Sequence, residues 1–285
     1  MTPHEIETVG RQICGECGLT FDGRVGGGAF KETFRAIDGD GRDCALKIYR
    51  PGFPAERSQR EIDAMQRCSH PGIARLIAIS TVQWRGSAIL YSLEEFIPGG
   101  TLTRRLADGL LSREETLALG TGLIDAVGHI ASHNLVHRDL KPDNIMFRQD
   151  GTTPVIVDFG IVRDLSSSSL TVSWLASGPG TPFFSPPEQL RNEKNLIDWR
   201  SDQFSLGVVL SLCCVGFHPY AELGASDAEV VQRVADRRSG PDRFGIAALQ
   251  IGLPALIRMT AAWPVERFRM PVQLSGAWVG QRRVN

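Results

Sequence analysis

From Leu19 to Phe96 apolar and polar positions change over in short runs broken by glycine. "TFRAI" (33–37) and "CALKIY" (44–49) are short alternating or apolar runs, and the "DGDG" between them reads as a hairpin turn. "GIARLIAISTVQ" (72–83) and "SAILYSLEEF" (87–96) read as two further strands. Between them, "PAERSQREIDAMQRC" (54–68) reads as a helix with Pro54 near its start. After "IPGG" the period changes. Leu117, Leu119, Leu123, Ile124, Val127 and Ile130 form a helical stripe, and further helices are expected at 202–215, 226–237 and 246–262. Residues 1–18 are a polar leader with room for one helix. A strand-rich stretch (19–96) followed by a helix-rich one (97–285) predicts an α+β fold of two lobes, with a short connector near Glu95–Gly100.

Composition narrows the class without naming a chemistry. A chain of 285 residues, 42% apolar and 22% charged, can bury a core in one domain or in two lobes sharing a cleft. A formal net charge of −1 supplies no global basic field for nucleic acid. Six cysteines are too few for a disulfide scaffold and fit a reducing cytosol. "MTPHEIETVG" has neither the basic start nor the apolar core of a signal peptide. The longest apolar run, "SLGVVLSLCCVGF" (205–217), is too short for a bilayer and reads as a buried helix. The expectation is a soluble cytoplasmic protein without a membrane or nucleic-acid partner.

Three stretches carry candidate chemistry. "RVGGGAF" places Gly26, Gly27 and Gly28 between two strands, either as a plain hairpin turn or as a loop whose N–H groups turn towards an anion. Lys47 lies in mid-strand among apolar neighbours and needs a partner, for which Glu61 on the following helix is a candidate; two surface residues are the plainer reading. "HRDLKPDN" (137–144), shortly before "VIVDFG" (155–160), is more specific. Phosphoryl transfer needs a carboxylate to orient the attacking hydroxyl, a cation near the moving phosphate, and hard oxygen ligands for Mg²⁺. Asp139, Lys141, and Asn144 with Asp158 supply those in that order.

With these motifs the chain resembles the eukaryotic-type serine/threonine protein kinase family over about Leu19 to Leu274. "GTPFFSPPEQL" is similar to the family's "GTPxYxAPEQ", "SDQFSLGVVL" to "SDxWSLGxxL", and "WPVERF" to the closing "DPxxRP/F". The resemblance implies a strand-rich lobe over a helical lobe with ATP between them. It implies that Gly26, Gly27, Gly28, Ala29 and Phe30 cover the phosphates, and that Lys47 holds the α- and β-phosphates while paired with Glu61. Asp139 then orients the substrate hydroxyl, Lys141 contacts the γ-phosphate, and Asn144 and Asp158 bind Mg²⁺. The backbone of Glu95 and Ile97 meets adenine, and Ala45 and Met146 sandwich the purine. Thr181 backs Lys141 in the substrate groove. Glu188 and Arg267 form a buried architectural pair, and Asp202 anchors the catalytic-loop backbone. Arg138 implies a phosphate on the activation segment, where Ser166 to Ser169, Thr171, Ser173 and Ser177 are candidates for autophosphorylation. The partners implied are protein substrates.

The chain departs from the family in places. Lys31 stands at the third glycine of the loop and Thr33 at the next valine. Glu94 stands at the position before the hinge, where a carboxylate needs a donor, turns away, or marks a register one residue off. Such departures keep a pseudokinase, a nucleotide-binding or scaffolding module, as the alternative. A small-molecule phosphotransferase ranks lower because the "GTP…PPE" groove is present. Cys14 and Cys17 read as reduced thiols, since Cys44, Cys68, Cys213 and Cys214 form no second metal-ligand pair. His70 reads as structural. His129, His133 and His218 read as isolated.

Overall fold

A computed structural model describes residues 1–28, 31–51, 66, 68–158, 163–164 and 181–281, with backbone alone at 163–164 and 181. The chain divides into two units, one built mainly from Met1–Ser69 and Ala74–Phe96, the other mainly from Ile97 onwards.

The first unit is a helix on a sheet. Helix α1 (Pro3–Glu16) starts in a capping box. Glu5 N–H donates to the Thr2 hydroxyl and the Glu5 carboxylate accepts from Thr2 N–H at 2.8 Å. Five antiparallel strands follow: β1 (Thr20–Gly27), β2 (Lys31–Ile37), β3 (Asp43–Tyr49), β4 (Leu76–Trp84) and β5 (Ser87–Glu95), in the spatial order β1-β2-β3-β5-β4. Strand periodicity sorts the side chains between two faces. Phe34, Ala36, Leu46, Ile48, Tyr91 and Leu93 form one core with Ile6, Val9 and Ile13 of α1. Residues 1–18, read as a leader, thus supply the helix that covers this face. Ala45, Lys47, Ser92 and Glu94 alternate with that set on β3 and β5 and belong to the other face.

The second unit is mostly helical. It holds α2 (Leu102–Ala107), α3 (Arg113–Ser132), β6 (Leu135–Val136), β7 (Ile145–Phe147), β8 (Pro154–Ile156), β9 (Arg163–Asp164), α4 (Pro187–Leu190), α5 (Trp199–Cys214), α6 (Asp227–Ala235), α7 (Asp242–Gln250), α8 (Ala255–Met259) and α9 (Pro271–Gly280). The stripe from Leu117 to Ile130 is buried on α3. Gly120 lets Trp278 of α9 lie against α3, because a Cβ there would stand 2.3 Å from the indole. Trp278 Nε1 donates to Leu117 O at 3.1 Å. Helix α5 is buried almost all round, as its apolar run predicts.

One helix expected at 246–262 is in fact two. Gly252 adopts φ +69°, a left-handed stop, and Pro254 follows, so α7 ends at Gln250 and α8 starts afresh at Ala255. The helix expected at 54–68 lies outside the described residues.

Ile13 is fully buried between α1 and the sheet. Ile13→Ala is expected to lower the unfolding free energy by about 2–5 kcal/mol in urea titration. Val25→Ala, at a half-exposed position, should change it by no more than about 0.5 kcal/mol.

Candidate functional site

The catalytic-loop motif sits between β6 and β7 and is held from beneath. Asp202, in the first turn of α5, is buried, and its two carboxylate oxygens accept the backbone N–H groups of His137 at 2.7 Å and Arg138 at 2.8 Å. Burial pushes this carboxyl up, while His137 and the two amides draw it back down. The loop needs such a hold because Arg138 takes φ +67°, unusual for a side chain with a Cβ. Gln189 adds a further tie, donating to Arg138 O at 2.6 Å.

His137 is wholly buried and joins two motifs. Its Nδ1 accepts the Asp139 N–H at 3.3 Å, so its Nε2 carries the hydrogen given to Val157 O at 3.1 Å. Val157 N–H in turn donates to Asn144 O at 2.9 Å. Asp158, the next residue, stands at φ +64°. The catalytic loop is therefore tied to Val157, the residue before Asp158, by one imidazole hydrogen bond and one backbone hydrogen bond.

Asp139, Lys141 and Asn144 come together as expected for residues that act on one centre. Asn144 Nδ2 donates to Asp139 O at 2.7 Å and to Asp139 Oδ2 at 2.9 Å. Lys141 Nζ lies 3.0 Å from the same Oδ2. Asp139 Oδ1 is buried and has no hydrogen-bond partner among the described residues. With Nδ2 turned to Asp139, the amide oxygen of Asn144 is the atom left for a cation. Amide and carboxylate oxygens, as on Asn144 and Asp158, are hard donors of the kind that could hold a divalent cation.

In the first unit, Lys47 is buried on β3, and its ammonium pairs with the Glu94 carboxylate. Ser92 Oγ donates to the other Glu94 oxygen at 3.0 Å. Glu94 therefore turns into the sheet face that carries Lys47, and its donors are an ammonium and a hydroxyl. The spacing of two between Ser92 and Glu94 was the available signal in the sequence. What pairs them with Lys47 is the register, which sequence alone leaves open. Glu61, named as the Lys47 partner, lies outside the described residues, as do Ala29 and Phe30. Gly26, Gly27 and Gly28 are at the β1–β2 turn, and a Cβ on Gly27 would fall 2.0 Å from a Glu32 carboxylate oxygen. Glu32 itself is clamped by Arg24 at 2.8 Å and Arg50 at 2.7 Å. Ala45 stands opposite Glu94 on the neighbouring strand. Glu95 N–H donates to Arg75 O at 2.8 Å, and Ile97 is buried. Met146 is on β7 in the second unit, bridged to Thr101.

Glu188 and Arg267 are both completely buried and paired in two contacts, at 2.6 and 3.1 Å. Ser201 Oγ also donates to Glu188 at 2.8 Å, and Arg267 donates to the backbone oxygens of Ala261, Ala262 and Arg200. The guanidinium thus meets nearly every requirement of a buried charge. Thr181 begins a 3₁₀ turn through Phe184. Ser166 to Ser169, Thr171, Ser173 and Ser177 lie outside the described residues.

The histidines differ from their reading as isolated groups. His129, in the last turn of α3, and His133, its C-cap, are one turn apart, so their rings meet at 4.6 Å between centroids, and His70 lies 5.1 Å from His129. His70 Nδ1 accepts Gly72 N–H at 3.0 Å, which fits a structural turn. His218 is buried, accepts Tyr220 N–H at 3.0 Å, and is pushed down to about 3 by burial, so it stays neutral. Cys14 is buried in the α1 core and its thiol is pushed up to about 11 by burial, whereas Cys17 is exposed. Among the described residues, no third Cys, His, Asp or Glu joins this pair at metal-ligand distance.

Comparison with known proteins fits this geometry. The protein kinase domain model matches residues 19–241, and the chain belongs to the protein kinase family, in its eukaryotic-type serine/threonine branch. It is 33% identical over 274 residues to the DNA damage-responsive serine/threonine-protein kinase RqkA of Deinococcus radiodurans, a match covering 91% of this chain and 39% of that protein. It is 30% identical over 233 residues to the serine/threonine-protein kinase AfsK of Streptomyces griseus, covering 79% of this chain and 27% of the relative. A probable serine/threonine-protein kinase of Streptomyces coelicolor is 33% identical over 194 residues, covering 65% and 28%. The chain thus spans between 27% and 39% of the length of these relatives. No helix among the described residues is long and apolar enough to cross a membrane.

Arg267→Ala leaves the Glu188 carboxylate buried without its cation. Urea unfolding is expected to show a loss of about 3–5 kcal/mol, far more than for an exposed arginine such as Arg11, whose partner Glu7 is also exposed.

Proposed function

We propose that this chain is an ATP- and Mg²⁺-dependent protein kinase that transfers the γ-phosphoryl group of ATP to serine and threonine hydroxyls of protein substrates. The observation that carries the proposal is the Asp139 carboxylate, with Oδ2 tied to Asn144 and Lys141 and the buried Oδ1 unpartnered among the described residues. An oriented carboxylate with one unpaired oxygen is what a substrate hydroxyl needs to be aimed at a phosphorus and to give up its proton. In this reading the P–O bond to ADP breaks as the bond to the hydroxyl oxygen forms. The hydroxyl proton passes to Asp139 and then to solvent.

Lys141 offsets charge on the transferred group, and Lys47 holds the α- and β-phosphates. The Gly26–Gly28 backbone, with Ala29 and Phe30, covers them. Glu61 is a helix-borne partner for Lys47. Ala45, Met146, Glu95 and Ile97 form the purine site. Asn144 and Asp158 hold Mg²⁺, which supplies charge neutralisation on the phosphates when bound. Arg138 answers a phosphate placed on the activation segment by autophosphorylation. A cytoplasmic setting fits the chemistry, since ATP is made there.

The Glu94–Lys47 pair favours a second reading, a nucleotide-binding or scaffolding module without turnover, because it engages the cation meant for the phosphates. One experiment decides between them. The protein is incubated with labelled ATP and Mg²⁺ beside Asp139→Asn and Lys47→Met. Label on protein that falls at least about 100-fold in each variant, and that maps to serine or threonine, supports the kinase. Bound nucleotide with no transfer in any sample contradicts it.

A further inference from the structure

Helix α3 ends on two histidines. His129 stands in its last turn and His133 is its C-cap, so the two rings meet one turn apart, with 4.6 Å between centroids. Asp125 is one turn further back. His70 lays its ring 5.1 Å from that of His129.

Hydrogen bonds fix what each ring can offer. A carbonyl oxygen only accepts, so His133 Nδ1, 3.0 Å from His129 O, carries the hydrogen and leaves the lone pair on Nε2. His70 is the reverse case. Its Nδ1 accepts Gly72 N–H at 3.0 Å, so its Nε2 carries the hydrogen and meets Asp125 Oδ2 at 3.1 Å. Both nitrogens of His70 are therefore in use. His129 Nε2 is buried and has no hydrogen-bond partner among the described residues. A ring nitrogen left in that position bears a desolvation cost that a bond to a cation would offset.

The pair has the make of a chelate. His129 and His133 each offer a nitrogen, and these lie within 4.8 Å of one another. Two donors at about 2.1 Å from one tetrahedral ion stand about 3.4 Å apart, which small ring rotations reach. The bond from His133 Nδ1 to a backbone carbonyl is the outer contact that holds a ligating imidazole in its tautomer. Both rings are half-buried, so an ion can enter from solvent and water can complete its coordination. The negative end of the twenty-residue α3 dipole and the Asp125 carboxylate favour positive charge there. Imidazole suits Zn²⁺, Cu²⁺ and Ni²⁺, whereas Mg²⁺ takes oxygen ligands. The chemistry thus differs from that of Asn144 and Asp158.

We propose that His129 and His133 form a Zn²⁺ site at the end of α3, with His70 and Asp125 beside it. The site lies where the chain leaves α3 through Asn134, at φ +58°, for β6 and the catalytic loop. A bound ion pins that exit. The inference stands whether or not the chain transfers phosphate.

The full chain, stripped with EDTA and kept reduced with a phosphine, is titrated with Zn²⁺ in a calorimeter. The imidazoles are followed in parallel by long-range ¹H–¹⁵N NMR spectra. In the native protein Zn²⁺ is expected to shift the ring nitrogens of His129 and His133 and to leave those of His4, His137 and His218 in place. His129→Gln and His133→Gln are each expected to weaken binding at least about tenfold. With Zn²⁺ at about 100 times its Kd, the native melting temperature should rise by about 5 °C, and neither variant should show the rise. Thiols are the competing ligands, so Cys14→Ser, Cys17→Ser and Cys68→Ser are titrated beside them. Circular dichroism verifies folding. If His129→Gln does not fold, His133→Gln and the native ring spectra carry the comparison.

Unmoved ring nitrogens of His129 and His133 at saturating Zn²⁺ overturn the proposal. So does binding that stays within about twofold of native in both histidine variants, or a site lost only in a cysteine variant.

Discussion

The buried carboxylate of Asp202 is the constraint on which the catalytic loop depends. A loop that must present Asp139, Lys141 and Asn144 together cannot rely on regular secondary structure for its hydrogen bonds. At Arg138 it also passes through a left-handed conformation. One carboxylate at the start of a helix buried almost all round takes two consecutive backbone N–H groups of that loop. The buried carboxylate gives both amides an acceptor and the amides give the carboxylate two donors, so each helps the other tolerate burial. The positive end of the helix dipole adds to the hold. His137 then passes the constraint on to Val157, next to Asp158.

A different constraint governs the sheet. Strand alternation gives β3 two incompatible jobs, and its period of two keeps them apart. Leu46 and Ile48 join α1 in the core, while Ala45 and Lys47 face the other way with Ser92 and Glu94. A slip of one residue would put the lysine under α1 and an isoleucine in its place. The burial of Ile6, Val9 and Ile13 against one face therefore also fixes the register that puts Lys47 beside Glu94 on the other.

The sequence made the parts with fixed chemistry easy to read. Asp139, Lys141 and Asn144 are close in sequence, so a turn suffices to gather them, and the structure does gather them. Glu188 and Arg267 are 79 positions apart, yet the family pattern pairs them and the structure places them in contact. Less legible were features set by register or by backbone stops. Glu94 looked anomalous because its donors lie across a ladder whose alignment no local pattern reports. The 246–262 segment kept a helical period through Gly252 and Pro254, and backbone conformation overrode that period. His129 and His133 looked isolated in a list of histidines, though their spacing of four on a helix already makes them neighbours. Residues 1–18 read as polar because α1 exposes one side; its buried stripe is only Ile6, Val9, Ile13 and Cys14 with Gly10.

Amide hydrogen exchange at His137 and Arg138 tests the central claim most directly, with the native protein compared to Asp202→Asn. If the buried carboxylate organises the loop, both amides are protected in the native protein to nearly the level of the α5 core. In the variant both exchange at least about tenfold faster, and phosphoryl transfer falls with them. Rapid exchange of either amide in the native protein, or unchanged protection in the variant, would contradict the account.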